Sequence, residues 1–289
     1  MALLIDLLLE RIRQEFSDSE PKWERADISD SDMRYLTEEC NKTSEFDETN
    51  KRKKMYDEMI KGNKVIVKSK CQYGELITIF DKAEQMAEMP WGLWARIFRL
   101  FSENSKKHRP FKVFFLADKS LRKFPKGHNQ IRPENINGGY TYRCNRETIV
   151  IYRAEDATRV LIHELQHSCC LDKVENGVDL IEAETEAWAE LFYICILSKG
   201  NQLVFNDLLK KQSAWIISQN KKVRQHMHNP NSMEFPWRYT LGKETVWRKW
   251  DILSTTPQKI SLNNSLRLTY PPSQKLKEEF KVIVISTIL

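Results

Sequence analysis

The stretch HELQH, residues 163–167, carries residue types at a spacing that can bind a catalytic metal ion. Residues four apart on an α-helix lie on one face, so His163 and His167 can direct imidazole nitrogens at a single point. Glu164 borders the same point. Two neutral histidines that bind zinc, beside a carboxylate that takes a proton from the attacking water, are the central part of a zinc hydrolase site.

A catalytic zinc site usually needs a third protein ligand, which must come from another part of the chain. The segment DLIEAETEAWAELFYICI, residues 179–196, is predicted to be helical, and a turn at residues 176–177 would return it alongside the motif helix. Its candidate acids are Glu182, Glu184, Glu186 and Glu190. We expect Glu186 to be the third ligand, with Glu182 as the alternative. Glu190 is expected to accept a hydrogen bond that fixes a histidine tautomer. The alternative for each acid is a position on a solvated face.

The HELQH motif, followed by eighteen residues and then Glu186, resembles the gluzincin metallopeptidases. In that family two histidines of a His-Glu-x-x-His helix and a glutamate of a following helix bind zinc. The stretch EAWAELF is similar to the ligand helix of many small zincins. Further segments, WAELFY, KKQSAWIISQNKK and PWRYTLG, resemble uncharacterised metallopeptidase-like proteins of large DNA viruses. The gluzincin resemblance covers about residues 110–195 and implies Zn²⁺ as the cofactor and peptides or proteins as substrates.

The same resemblance implies a downstream group that donates a hydrogen bond to the developing oxyanion. Four residues are candidates: His226, His228, Arg238 and Tyr239. We favour Tyr239, within WRYTLG. Glu164 would act as the general base and then pass its proton to the leaving amine. The chain lacks the additional downstream histidine of metzincins and the Gly-rich signature of aminopeptidases, so the subfamily is left open.

The elements that must position these residues follow from hydrophobic periodicity. EDATRVLIHELQHSCC is predicted to be a helix, preceded by two strands joined by a polar turn within residues 138–153. A β-hairpin is predicted at 64–80, helices at 81–89 and 91–104, and a strand at 111–118. The expected fold class is α+β and zincin-like, with a small mixed β-sheet and the HExxH helix beneath it. Mainly helical N- and C-terminal regions flank this core.

We therefore divide the chain into three regions. Residues 1–60 are predicted to be a helical N-terminal region, 61–200 the zincin-like catalytic core, and 201–289 a mainly helical C-terminal region. The last nine residues, KVIVISTIL, read as a final strand or an apolar tail. Residues 139–143 would be an edge strand that binds an extended peptide through its main chain, and an ordinary hairpin is the equal alternative.

Composition limits the class of protein. A chain of 289 residues with 41% hydrophobic residues can bury a large core. The net charge is +6, but acidic residues interleave the basic ones, so we do not expect nucleic-acid binding. The N-terminal leucines recur at helical spacing and predict an amphipathic helix rather than a signal peptide. No apolar run reaches about 18 residues, which argues against a membrane span.

Six cysteines without a framework of spacings favour a reducing compartment. The sequence therefore predicts an intracellular protein of the cytoplasm or nucleus, or of a virus factory or virion. Three functional hypotheses follow. The first is a zinc-dependent peptidase. The second is a zincin-fold binding or virion structural protein without turnover, and the third is a basic helical interaction protein in which the HExxH arose by chance.

Overall fold

The fold is a single mixed β-sheet with helices on both faces, as seen in a computed structural model that describes residues 1–102, 109–229, 231–255 and 260–270. The strands are β1 (Glu24–Ala26), β2 (Val65–Cys71), β3 (Gly74–Phe80), β4 (Phe111–Leu116), β5 (Gly139–Tyr140) and β6 (Ile149–Ile151). Their order is β1-β2-β3-β4-β6-β5. The pairs β3–β4 and β4–β6 are parallel, and the other pairs are antiparallel. The predicted α+β class and mixed sheet are confirmed.

The helices alternate with the strands and then continue alone after residue 157. They are α1 (Ala2–Ser17), α2 (Asp30–Asn41), α3 (Lys51–Ile60), α4 (Trp91–Ser102), the single turn α5 (Pro133–Ile136), α6 (Ala157–Ser168), α7 (Val178–Leu197), α8 (Gln202–Val223), α9 (Phe235–Tyr239) and α10 (Leu241–Lys249). Short 3₁₀ helices lie at Glu45–Asp47, Ala83–Glu88, Val174–Asn176 and Arg224–His226. Among the described residues, no helix is long and apolar enough to cross a membrane.

The central strands are apolar on both faces because helices cover both. In β4 the side chains of Phe111, Val113 and Phe115 enter the larger core, which also contains residues of α1, α4, α6 and α7. Phe114 and Leu116 point to the opposite face and pack with residues of α2 and α3. Since successive strand residues alternate between faces, a strand buried on both faces reads as a nearly continuous apolar run.

Most of the predicted elements are present. The hairpin at 64–80, the strand at 111–118, the motif helix and the helix at 179–196 are confirmed as β2–β3, β4, α6 and α7. In α4, Trp94, Phe98 and Phe101 are buried, as predicted. The helix expected at 81–89 is wrong in type, because the chain forms a 3₁₀ helix there. The side chain of Gln85 accepts hydrogen bonds from the backbone N–H groups of Asp81 and Lys82.

The three regions defined from the sequence share one hydrophobic core. Leu9 from the first, Leu161 from the second and Trp247 from the third belong to the same buried cluster. The first region also contributes a strand, β1, that the sequence did not indicate. The predicted strand or tail at 281–289 lies outside the described residues.

The motif helix α6 is held directly beneath the end of the sheet. Leu161 and Leu165 are fully buried on the face that meets β6, and α6 also contacts the edge strand β5. The next helix, α7, begins after Gly177, whose positive φ of 75° closes the turn predicted at 176–177. Helices α6 and α7 then pack side by side, which brings their histidines and glutamates together.

Candidate metal centre

Both histidines of the motif present the same ring nitrogen to a common point. Nδ1 of His167 lies 2.7 Å from Oδ1 of Asp172, which holds a proton on this nitrogen and directs Nε2 at the common point. Nδ1 of His163 lies 3.0 Å from Oε1 of Glu186 but makes no hydrogen bond with it, so this contact is electrostatic. The two Nε2 atoms are 3.1 Å apart. Two facing lone pairs at this distance repel unless a proton or a cation lies between them.

A third donor atom, Oε2 of Glu182, completes the group. It lies 3.3 Å from Nε2 of His163 and 3.8 Å from Nε2 of His167. Zinc–nitrogen and zinc–oxygen bonds of about 2.1 Å in tetrahedral geometry place ligand atoms roughly 3.4 Å apart. Among the residues that the structure describes, His163, His167 and Glu182 form the cluster that could hold a metal ion. Their spacing and donor types fit Zn²⁺.

Glu186, the third ligand favoured from the sequence, has a different set of contacts. Its two carboxylate oxygens accept hydrogen bonds from the guanidinium of Arg159, which lies one turn before His163 on α6. Glu186 is 1% exposed and Arg159 is equally buried. Burial opposes ionisation of Glu186, but Arg159 and His163 outweigh it and hold its pKa well below the usual range. The structure thus groups the alternative, Glu182, with the histidine Nε2 atoms, and places Glu186 behind His163.

Glu190, expected to fix a histidine tautomer, lies further from the histidines. Its carboxylate accepts hydrogen bonds from Lys243 of α10 at 3.1 Å and from Thr269, and lies 3.6 Å from Nε of Arg159. The acid that hydrogen-bonds a motif histidine is therefore Asp172, on His167, and the acid beside His163 is Glu186. The reason is helical geometry, since Glu190 lies one further turn along α7 and reaches α10 instead.

Glu164, the candidate base, is 4% exposed, next to His163. Burial raises the pKa of this carboxyl to about 7, against the opposing effect of His163 and His167. Burial also disfavours the charged form of His163, but Glu186 and Glu182 outweigh it and raise its pKa to about 9. For His167, Asp172 and Glu182 outweigh burial in the same way and raise the pKa to about 10. The same pairing lowers the pKa of Glu182 to about 2. The centre is thus an electron-rich pocket that attracts cations.

A cleft of about 170 Å³ opens over these groups. Its wall contains His163, Glu164, His167, Glu182 and Glu186, together with residues 136–141, Phe46, Arg122, Arg159, Val160, Tyr239 and Leu268. Only Tyr239 of the four predicted oxyanion donors is among the described residues in this wall. Burial, and then Glu182, raise the pKa of its hydroxyl well above the usual value, so the hydroxyl keeps its proton.

The other three candidate donors have partners elsewhere. His226 bonds through Nδ1 to the backbone oxygen of Asn129 and packs on Phe124. Arg238 pairs with Asp179. The backbone N–H of His228 donates a hydrogen bond to Glu234. His226, His228 and Arg238 are all absent from the cleft wall.

Strand β5 covers only residues 139–140 of the edge strand predicted at 139–143, and it forms the edge of the sheet beside the cleft. Its antiparallel pairing with β6 also fits the alternative of an ordinary hairpin. Gly139 permits the close approach of α6, because a Cβ atom there would lie 2.7 Å from Val160 and 2.9 Å from the backbone oxygen of Val150. The same Cβ would lie 3.4 Å from Oε1 of Glu164. A larger residue would push the motif helix away from the edge strand.

A disulfide joins the loop after β5 to the end of α6. Cys144 pairs with Cys170, and the backbone N–H of Cys144 donates to the oxygen of His167. The cysteine spacing did not reveal this pair, because the two residues meet only when the loop folds back over the helix end. The bond also removes the support that cysteine spacing gave to a reducing compartment. The intracellular location stays a prediction.

Sequence reasoning missed two residues that organise the centre, Arg159 and Asp172, and a third, Arg122, that lines the cleft. Asp172 lies five residues after His167, and an acid directly after an HExxH helix is a signal that could have been used. Arg159, one turn before His163, could have been paired with a glutamate of the next helix. Arg122 has no comparable signal, since it comes from a loop 41 residues before His163 in the chain.

Comparisons with known proteins add nothing to this picture: no family model, no curated protein and no solved structure matches the chain.

Proposed function

We propose that this protein is a zinc-dependent peptidase of zincin type, with His163, His167 and Glu182 as the metal ligands. The observation that carries the proposal is the convergence of two imidazole lone pairs and one carboxylate oxygen at 3.1–3.8 Å. Protons or a metal ion relieve the repulsion in this group, and a metal ion can bind all three atoms at once. Zinc is the fitting ion because nitrogen and carboxylate donors in a set of three are characteristic of its catalytic sites.

When bound, zinc supplies a Lewis acid that polarises a carbonyl and lowers the pKa of a water molecule. Glu164 acts on the proton. Its carboxylate, with a pKa raised towards neutrality by burial, accepts a proton from the attacking water and later donates it to the leaving amine. A base with a pKa near the working pH is the most effective for both transfers.

Two further elements support the substrate. The free edge of β5 can pair with an extended peptide through its main chain, and Gly139 keeps that strand close to Glu164. The protonated hydroxyl of Tyr239 in the cleft wall is suited to donate a hydrogen bond to the oxyanion. Asp172 orients His167 by a hydrogen bond, and Glu186, held by Arg159, lies 3.0 Å from Nδ1 of His163.

The test compares wild type, Glu164→Gln and chelated wild type on a peptide library read by mass spectrometry. Glu164→Gln keeps the size of the side chain but removes the base. It should keep zinc and lose hydrolysis of every substrate by about 10²–10⁴-fold, the usual contribution of a general base. His167→Ala should lose activity through lost metal, which elemental analysis detects. Cleavage that persists in Glu164→Gln, or a wild type that holds no zinc, would refute the proposal. Stable zinc with binding but no turnover of a native partner would favour the binding-protein hypothesis.

A further inference from the structure

One polar group in the cleft wall has no role in the chemistry above. Arg122, in the loop after β4, has a fully buried side chain, and its NH2 atom has no hydrogen-bond partner within the described residues. The other donors of the same guanidinium are used. Nε donates to the backbone oxygen of Ile136 at 2.6 Å, and NH1 donates to that of Glu155 at 2.6 Å. Buried charged donors without an acceptor are rare, and each one suggests a missing partner.

Arg122 is one of the residues that line the cleft, and its unpaired NH2 is buried beside Gly138. Gly138 is part of the same wall, and a Cβ atom on it would lie 2.4 Å from this NH2. Because Gly138 has no side chain, the guanidinium of Arg122 can lie next to the start of the edge strand. The neighbouring wall is apolar, formed by Phe46, Ile136 and Leu268. A charged donor among apolar groups is the usual means by which a pocket fixes one polar group of a ligand.

The acids near Arg122 contact NH1 and the backbone N–H rather than NH2. NH1 lies 3.5 Å from Glu155 and 3.5 Å from Asp156, and the backbone N–H of Arg122 donates to Glu155 at 2.6 Å. A second buried arginine, Arg153, lies nearby and donates to three backbone carbonyls, those of Ser120, Glu134 and Asn137. Within the described residues the NH2 of Arg122 therefore has no acceptor, and an anion there would supply one.

We infer that Arg122 forms an anion subsite of the cleft, which binds a carboxylate of the peptide substrate at the Gly138 end of the edge strand. The inference rests on the proposed peptidase function in one respect, that the carboxylate belongs to a peptide. That source is an aspartate or glutamate side chain, or the carboxyl terminus of the peptide. The two sources share one chemistry, a charge-assisted hydrogen bond from the guanidinium in a water-poor site.

Binding rather than turnover tests the subsite. The Glu164→Gln protein is titrated with two pairs of peptide pools, with and without chelator. The first pair carries internal glutamate or glutamine and has amidated ends, and the second is neutral with a free or amidated carboxyl terminus. We expect the acid pool of one pair to bind at least about tenfold more tightly than its amide pool, as one hydrogen bond to a charged group implies. The pair that shows the preference identifies the source.

Arg122→Gln should abolish this preference and leave the affinity for the amide pools unchanged. Arg153→Gln is the matched control, because it removes an equally buried arginine that does not line the cleft. It should keep the preference. Unfolding curves of both variants show whether they fold. If Arg122→Gln does not fold, Gly138→Ala takes its place, because the added Cβ would lie 2.4 Å from NH2 and should weaken the preference.

Equal or undetectable binding of acid and amide pools in both pairs would overturn the inference, as would a preference that persists in Arg122→Gln. Failure of the peptidase proposal gives a different result. A protein that cleaves no peptide but keeps the carboxylate preference would have the anion subsite without the activity.

Discussion

The third metal ligand is the sharpest prediction of the site, because two glutamates one helical turn apart compete for it. The perturbations are Glu182→Gln and Glu186→Gln, with Glu184→Gln as the control on the same helix. Residues two apart on a helix point about 200° apart, so Glu184 cannot share the ligand face. We expect zinc affinity to fall most in Glu182→Gln, by more than the roughly 10–100-fold that loss of an outer partner costs.

The magnitudes differ because the two carboxylates have different partners. Oε2 of Glu182 faces the two imidazoles, at 3.3 and 3.8 Å, so its loss removes a ligand and, in the metal-free protein, an ion pair with the histidines. Glu186 neutralises the buried guanidinium of Arg159. Removing one partner of a buried pair costs about 3–5 kcal/mol, and the lower end applies because Glu190 still lies 3.6 Å from Arg159. Chelated Glu186→Gln should therefore unfold roughly 6–12 °C below chelated wild type, taking 2–4 °C for each kcal/mol.

The assay measures zinc by elemental analysis and competition with a chromophoric chelator, and stability by thermal unfolding with and without chelator. Wild type with free zinc at 100 times Kd should gain about 2.7 kcal/mol over its chelated form. Glu182→Gln should lose this gain, and its chelated form should lie somewhat below chelated wild type because the ion pair with the histidines is lost. Glu186→Gln should keep part of the gain on a lowered baseline. Full zinc in Glu182→Gln together with loss in Glu186→Gln would return the ligand role to Glu186 and refute the reasoning from distances.

Two other predictions concern the surroundings of the site and the sheet. Asp172→Asn should weaken zinc binding roughly 10–100-fold by removing the charge that orients His167, whereas Asp207→Asn on the exposed face of α8 should leave it unchanged in the same competition assay. Burial opposes ionisation of Asp32, but two lysines of the sheet outweigh it and depress its pKa. Its stabilisation is therefore complete above the unfolded pKa of about 3.9 and is lost progressively as the pH falls from there towards the depressed folded pKa. Asp32→Asn should thus lower the free energy of unfolding by about 1–2 kcal/mol at pH 7, and in urea titrations this loss should shrink steadily between about pH 4 and about pH 2; a loss that stays constant over this range would contradict an electrostatic origin.

The sequence predicted elements better than it predicted partners. Apolar periodicity located α6, α7 and the β2–β3 hairpin because packing against one core imposes that periodicity. It could not choose between Glu182 and Glu186, since both lie on one face of α7 and the choice depends on which one Arg159 reaches. The bond between Cys144 and Cys170 was equally inaccessible. Contacts of this kind are fixed by the tertiary path of loops, which leaves no periodic trace in the chain.

The buried ion pairs behind the site join residues that are far apart in the chain, so they can form only late in synthesis. Asp156 at the start of α6 is bound by Arg267, and Glu190 of α7 is bound by Lys243 and Thr269. These partners are synthesised after the motif helix. Thr269, for example, follows Glu190 by 79 residues. At the usual rate of translation this delay is on the order of ten seconds. During that time the nascent chain has every candidate metal ligand, but Asp156 and Glu190 have only their early partners, Arg122 and Arg159. The full set of ion pairs behind the site forms only when the late segment docks.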